Sequence, residues 1–304
     1  MQLDVTTGPP VTRGALALVP LLRPALAAPA AAPPGYLAGP DAFRAGAVRV
    51  AERGDGAVVP ELEVRVVGPT PVLLIEGESI LGAQQNRVLN VSVVLAADAA
   101  DLVPVSCVEA GRWGRAQTAR RSTRHSPSAL RRVKTRSVAE AVRRSGDRRS
   151  DQGAVWDEVD GLLEAHQAAS ASAALEDVYA SVAPRLDEAL VGIDPVADQV
   201  GVVALTAGRV VALDLFDDPA TLRTYWDQLV SGYALDALVA PPGATDADAL
   251  VAAVERFLAA VAGAAVDRAP GVGEGTDLVL DGEGVVGLGV EWRDHLRHLA
   301  AFPR

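Results

Sequence analysis

Six short apolar stretches lie between Ala15 and Gly111, at 15–22, 47–54, 61–68, 70–77, 87–96 and 102–111. Each is bounded by glycine, proline or charged residues, and none is long enough for a typical helix. Segments 47–54 and 61–68 alternate apolar and charged residues, the period-two pattern of a half-buried strand. The others are near-continuous aliphatic runs that continue the β pattern. Residues 39–46 allow one short helix with Asp41 near its start. The first hundred or so residues therefore predict a mainly β unit, sandwich- or barrel-like.

The pattern then changes. Helical spacing appears at 154–167, 172–190 and 246–263, and Asp218-Pro219 supplies a cap and first-turn pair for another helix. Segment 200–216 predicts a hairpin turning at Ala207-Gly208, and 276–292 a closing hairpin around Asp281-Gly282, with a short helix ending the chain. The expected class is α+β: a β-rich unit over 1–113, an Arg-rich loop or partner-ordered segment over 114–151, and a mixed helix/hairpin region over 152–304 packed on the first.

Charge is unevenly spread. From Arg112 to Arg149 there are 13 basic residues against Glu140 and Asp147, leaving 15 basic groups against 37 acids elsewhere and a net charge of −11. Nucleic-acid binding through Arg120 to Arg149 is one use of such a segment. Pairing with the acidic body of the same chain is a simpler one, since no aromatic beyond Trp113 interleaves the arginines for base stacking. Arginine replaces lysine everywhere but at Lys134, the habit of a GC-rich bacterial genome. A single cysteine, Cys107, forms no internal disulfide and fits a reducing, cytoplasmic compartment. No apolar run reaches the roughly 20 residues of a membrane helix. The one targeting candidate, 12–35, is broken by Pro20 and Arg23 and follows Asp4, so it predicts a strand and then an Ala/Pro-rich loop.

Against this background "IEGESILGAQQNRVLN" stands out for its polar side chains between aliphatic runs. In an extended strand Glu76 and Glu78 share a face, about 7 Å apart at ~3.3 Å per residue. Paired carboxylates bind a divalent cation or split their pKa values for acid/base work. Gln84, Gln85, Asn86 and Arg87 follow with donors for a phosphate, ribose or carboxamide. In "LVPVSCVEAGRW", Glu109 ends an apolar face, with Arg112 and Trp113 as a charge and a stacking surface beside it. A network of strand-end caps pairing with one another explains the same residues without a site.

Other constellations are weaker. Glu291, His295 and His298 have helical spacing for a metal site, although a solvated helix face suits them better. Asp214 sits where strand gives way to loop. Cys107 has no histidine nearby in sequence to activate it, so a buried thiol is expected. Neither GxxxxGK[ST] nor GxGxxG occurs, which removes P-loop and Rossmann assignments.

Gly77, Glu78, Gly82, Ala83, Gln85, Asn86, Arg87, Leu89 and Asn90, followed by Pro104, Val105, Ser106, Cys107, Glu109, Gly111, Arg112 and Trp113, resemble the core motifs of the ARPP family. This is a domain associated with ADP-ribosylglycohydrolases and rhodanese-phosphatase proteins. Weaker echoes continue at Gln152, Trp156, "GRVVALDLF", "SGYALDAL" (with Gly232 as a departure) and His295. The association implies chemistry on ADP-ribose, nucleotide or RNA-end phosphates. Glu78 and Glu109 are then the catalytic candidates, and Gln85, Asn86, Arg87, Asn90, Arg112 and Trp113 the ligand-binding ones. The competing expectations are a nucleotide or RNA-end binding module without chemistry, and a partner-docking protein whose polar network is scaffold.

Overall fold

The structure, a computed structural model, describes residues 1, 3–24, 34–53, 59–113, 117–243 and 246–304. The Ala/Pro-rich loop expected after the first long strand falls mostly on 25–33, outside the described residues. Strand accounts for 37% and helix for 32% of the described residues, and one sheet is nearly closed and barrel-like, an α+β architecture with a β-rich N-terminal region.

In chain order the first elements are β1 (Thr6–Thr7), β2 (Val11–Arg13), β3 (Leu16–Leu22), β4 (Leu37–Ala38), α1 (Gly39–Arg44), β5 (Val48–Ala51) and β6 (Glu61–Val66). The motif region follows as β7 (Val72–Leu74), β8 (Glu78–Ala83), β9 (Arg87–Leu89), β10 (Val93–Leu95) and β11 (Ala100–Cys107). Then come β12 (Gln117–His125), α2 (Ser128–Ser145), α3 (Gln152–Ala165), α4 (Leu175–Leu190), β13 (Gln199–Thr206) and β14 (Arg209–Phe216). The chain closes with α5 (Pro219–Ala237), α6 (Ala247–Gly263), β15 (Ala265–Pro270), β16 (Thr276–Gly282), β17 (Val285–Trp292) and β18 (His295–Pro303).

A nine-stranded sheet runs β1-β3-β13-β14-β18-β17-β16-β15, with β2 also on β3. Its inner strands β3, β13 and β17 read as near-continuous apolar runs because both faces are covered. Leu16, Leu18, Val202 and Ala204 face the main core, while Ala17, Val19, Leu21, Val203 and Leu205 face a second cluster with Leu250, Val254, Phe257 and Val261 of α6. Side chains one residue apart point to opposite faces, so a single strand serves both clusters. A six-stranded sheet, β12-β8-β9-β11-β6-β5, and a three-stranded one, β10-β7-β4, carry the motifs. Pairing of β3 with β13 joins the N-terminal strands to the later region, across the expected boundary at 113.

α5 is buried on nearly every side, with Leu222, Tyr225, Trp226, Leu229 and Tyr233 all in the core. Asp218 caps it by accepting from the Ala220 N–H at 2.7 Å, with Pro219 in the first turn. A Cβ on Gly232 would lie 2.7 Å from the Ser126 carbonyl oxygen, so the missing side chain lets α5 press against the β12–α2 junction.

Three expectations need correction. The Arg-rich segment is β12 and α2, integral to the fold and not a loop. β12 pairs along β8, and α2 turns Leu130, Val138 and Val142 inward and ends at Gly146 in the left-handed conformation. The chain ends in strand β18, not a helix, because β14 and β17 offer it backbone partners on both edges and tertiary pairing outweighs local periodicity. The closing hairpin turns at 283–284, two residues after Asp281-Gly282.

A buried charge cluster and an arginine corner as candidate site

β7 ends at Leu74, and Gly77 adopts φ +81°, a conformation that glycine reaches freely and other residues reach at a cost. The chain reverses there before β8 starts at Glu78. Glu76 and Glu78 therefore do not share a strand face, and each carboxylate enters a different set of partners.

Glu76 points into the core with no exposure. Arg131 donates to its Oε1 through Nε at 2.7 Å and also through Nη2, and Lys134 donates to its Oε2 at 2.8 Å. The same guanidinium reaches Asp214 through Nη1 to Oδ2 at 2.9 Å and Nη2 to Oδ1 at 2.7 Å. Asp214 also accepts from the Tyr233 hydroxyl and lies 3.0 Å from His298 Nε2, while His298 Nδ1 is 2.7 Å from Ser92 Oγ, which accepts from the Glu76 N–H. The cluster holds two carboxylates against two cations, so its fixed charges balance. Arg131 further lies over the Phe302 ring at 5.1 Å.

Burial opposes every charge here, and the partners decide which side wins. Burial raises the Glu76 carboxyl, but Arg131 and Lys134 outweigh it and hold the group at about 2. Asp214 is likewise driven well below the carboxylate range, burial being overcome by Arg131 and His298. Lys134 is pushed down by burial despite Glu76. His125, fully buried beside the cluster, is lowered to about 3 by burial and then by Arg131, so it is neutral.

Glu78, also buried, faces away from this cluster. It accepts from Arg121 Nε and Tyr225 Oη, and from the Ile75 N–H at 2.8 Å. Glu109 is clamped by Arg112, Nε to Oε1 at 2.9 Å and Nη2 to Oε2 at 2.7 Å. It also accepts from the Asn86 N–H at 2.9 Å and Ser172 Oγ at 2.9 Å. Burial raises this carboxyl, yet Arg112 and the other donors bring it below its ordinary value. Arg112 donates as well to the carbonyls of Gly82 and Ala83, which makes it the pin of the β8–β9 turn.

Asn90 is engaged at each polar group: its Oδ1 accepts from Ser106 Oγ, its Nδ2 donates to the Arg148 carbonyl at 2.8 Å, and its own carbonyl accepts from Lys134. Cys107 is buried, with burial pushing its thiol up. Gln152 pairs with its backbone like an added strand, 2.8 Å in each direction. Glu291 and His295 sit on strands, and His298 is a core residue, so the helical metal face does not form. Among the described residues no three His, Cys, Asp or Glu side chains are placed to hold a metal ion.

Arg87 differs from all of these. Its guanidinium is fully buried, and Nη1 donates to Glu52 Oε1 at 3.0 Å, but Nε and Nη2 have no partner among the described residues. Glu52 Oε2 and Gln85 Oε1 are likewise unpartnered. Gln85 Nε2 donates to the Glu109 carbonyl at 3.1 Å. Trp113, 52% exposed, places its ring 6.0 Å from Arg87 Cζ.

Glu78, Arg87 and Glu109 thus each have a separate partner, and no hydrogen bond or ion pair links any two of them. Sequence reasoning missed Arg131 and Lys134 as the counter-charges of Glu76 and Asp214. The signal was present: one lysine kept in a chain that otherwise uses arginine marks a position where a compact ammonium is needed.

The molecule is an α+β protein in which basic groups of one segment neutralise carboxylates carried by several strands. The model of the ARG and Rhodanese-Phosphatase-superfamily-associated Protein domain, ARPP-1, matches residues 4–302, and the chain belongs to that family. No match was found among the curated proteins or the solved structures.

Proposed function

We propose that the chain recognises a phosphorylated, ring-bearing small molecule of the nucleotide or ADP-ribose type at the corner formed by Arg87 and Trp113. The observation that carries this reading is the pair of unpartnered donors on a fully buried Arg87. Nε and Nη2 form one edge of the guanidinium, the edge that grips two oxygens of a phosphate or carboxylate. Leaving buried donors unpaired costs about 1–3 kcal/mol each, a cost that an anion would remove. Trp113 offers a half-open ring for stacking a base, and Gln85 an acceptor for an amino or hydroxyl group.

Binding without turnover fits the carboxylates better than catalysis does. Glu109 is held ionised by Arg112, and Glu78 is enclosed by Arg121 and Tyr225, so either must shed a cation before it acts as an acid or base. The Arg-rich segment spends Arg121, Arg124, Arg131, Lys134, Arg143 and Arg148 on carboxylates of the same chain, which supports the internal use of its charge over nucleic-acid binding.

A thermal-shift screen of the full chain against ADP-ribose, NAD, nucleotides and divalent cations tests the reading. A phosphorylated, ring-bearing compound raises Tm, and Glu78→Gln keeps the shift. Product formation that Glu78→Gln abolishes while binding persists moves the assignment to an enzyme, and no shift with any phosphorylated compound defeats both.

A further inference from the structure

A cleft of about 730 Å³ opens elsewhere on the molecule, between the start of α2, α3, the β13–β14 hairpin, the end of α5 and the last residues of β18. It contains none of the candidate site residues from Glu76 to Trp113, although Arg209, Val210, Val211 and Asp236 belong to the weaker family echoes "GRVVALDLF" and "SGYALDAL". Leu162, Val210, Val211, Val239 and Pro303 give it an apolar lining. Arg132 and Arg209 stand in its wall, both exposed, and neither is within ion-pair distance of an acid among the described residues.

The wall is also held open. Gly161 lies inside α3, where glycine costs about 0.5–1 kcal/mol relative to alanine. A Cβ at this position would meet nothing within 4 Å, so packing does not demand the glycine. The small Ala165, one turn later, lines the same side. Residues of this size leave the cleft its volume.

We propose that this cleft binds an amphipathic organic carboxylate, its apolar body on Leu162, Val210 and Val239 and its anionic head between Arg132 and Arg209. The acids in the wall do not reverse the sign of the site. Asp236 Oδ2 accepts from the Ala129 N–H at 3.3 Å, in the first turn of α2, and burial lifts this carboxyl to about 7. Glu158 is raised by burial with Arg132 opposing. Three arginines, Arg132, Arg209 and Arg304, stand in the wall against these two acids, and an apolar lining of this extent suits a hydrocarbon or aromatic body better than a sugar phosphate. The site is independent of the Arg87–Trp113 corner, and either can fail without the other.

The probe is 8-anilinonaphthalene-1-sulfonate, an amphipathic anion whose fluorescence rises in an apolar site, titrated into the folded full chain. One saturable equivalent is expected, displaced by decanoate and not by decylamine. Gly161→Leu fills the open space and lowers probe affinity at least tenfold while Tm holds or rises. Arg132→Glu with Arg209→Glu lowers it by a similar factor. Ala165→Phe is the second blocking variant, with the same expectation, should Gly161→Leu fold poorly. Absence of saturable binding to the wild type, unchanged affinity in a folded blocking variant, or equal displacement by decylamine overturns the assignment.

Discussion

Arg131 meets Asp214 with two hydrogen bonds, 2.9 Å and 2.7 Å long, across 83 residues of sequence. Those bonds, with the ones to Glu76, fasten the Arg-rich helix α2 to strand β14 and to the turn before β8. The basic segment is folded inward as the counter-charge of the motif region.

Arg131→Met removes the guanidinium shared by Glu76 and Asp214 and leaves two buried carboxylates with reduced compensation. A loss of about 3–5 kcal/mol is expected in urea unfolding, the range for breaking a buried ion pair. Arg144→Met, which breaks only an exposed pair with Glu140, changes stability by no more than about 0.5 kcal/mol.

The two glycines of interest respond in opposite directions. Gly77→Ala adds a Cβ that lies 2.4 Å from His125 Cε1 at φ +81°. Left-handed strain of about 1–2 kcal/mol and overpacking of about 1–3 kcal/mol combine into a severe loss. Gly161→Ala meets open space in a helix and gains about 0.5–1 kcal/mol. Thermal unfolding of the two variants beside the wild type reads both signs.

β3, β5, β6, β7 and β11 were legible because each is a short apolar or alternating run with glycine, proline or charged residues at its ends, whereas β4 and β8 were not, and the single run 87–96 divides into β9 and β10 of two different sheets. α5 was legible from Asp218-Pro219. The faces of Glu76 and Glu78 were not, because one left-handed glycine between them turns the chain, and a strand pattern does not register that. β12, "QTARRSTRH", carries almost no apolar signal; its pairing with β8 and the ion pairs of Arg121 and Arg124 come from residues distant in sequence. The partner of each polar group in the motifs lay beyond the reach of local spacing.

Stability should depend on pH through two groups of opposite sign, the fully buried His125 and Asp236, partly exposed in the cleft wall. His125 titrates at about 3 in the fold against an ordinary 6.5, so its contribution is complete above 6.5 and is lost as pH falls toward 3. Asp236 titrates at about 7 against 3.8, so its contribution is complete below 3.8 and is lost as pH rises through 7. Asp236→Asn therefore gains stability relative to the wild type between pH 4 and pH 8, measured by denaturant unfolding at each pH. A difference that stays flat over that window contradicts the raised titration of this carboxyl.

Titration calorimetry of ADP-ribose against wild type and Trp113→Ala tests the recognition corner most directly, since Trp113 is half exposed and its removal leaves the core intact. Measurable wild-type binding is expected, weakened by about tenfold in the variant, the scale of one lost stacking contact of roughly 1–3 kcal/mol, with Tm unchanged. Equal affinity in the two proteins, or no heat of binding in the wild type with ADP-ribose or any nucleotide, contradicts it.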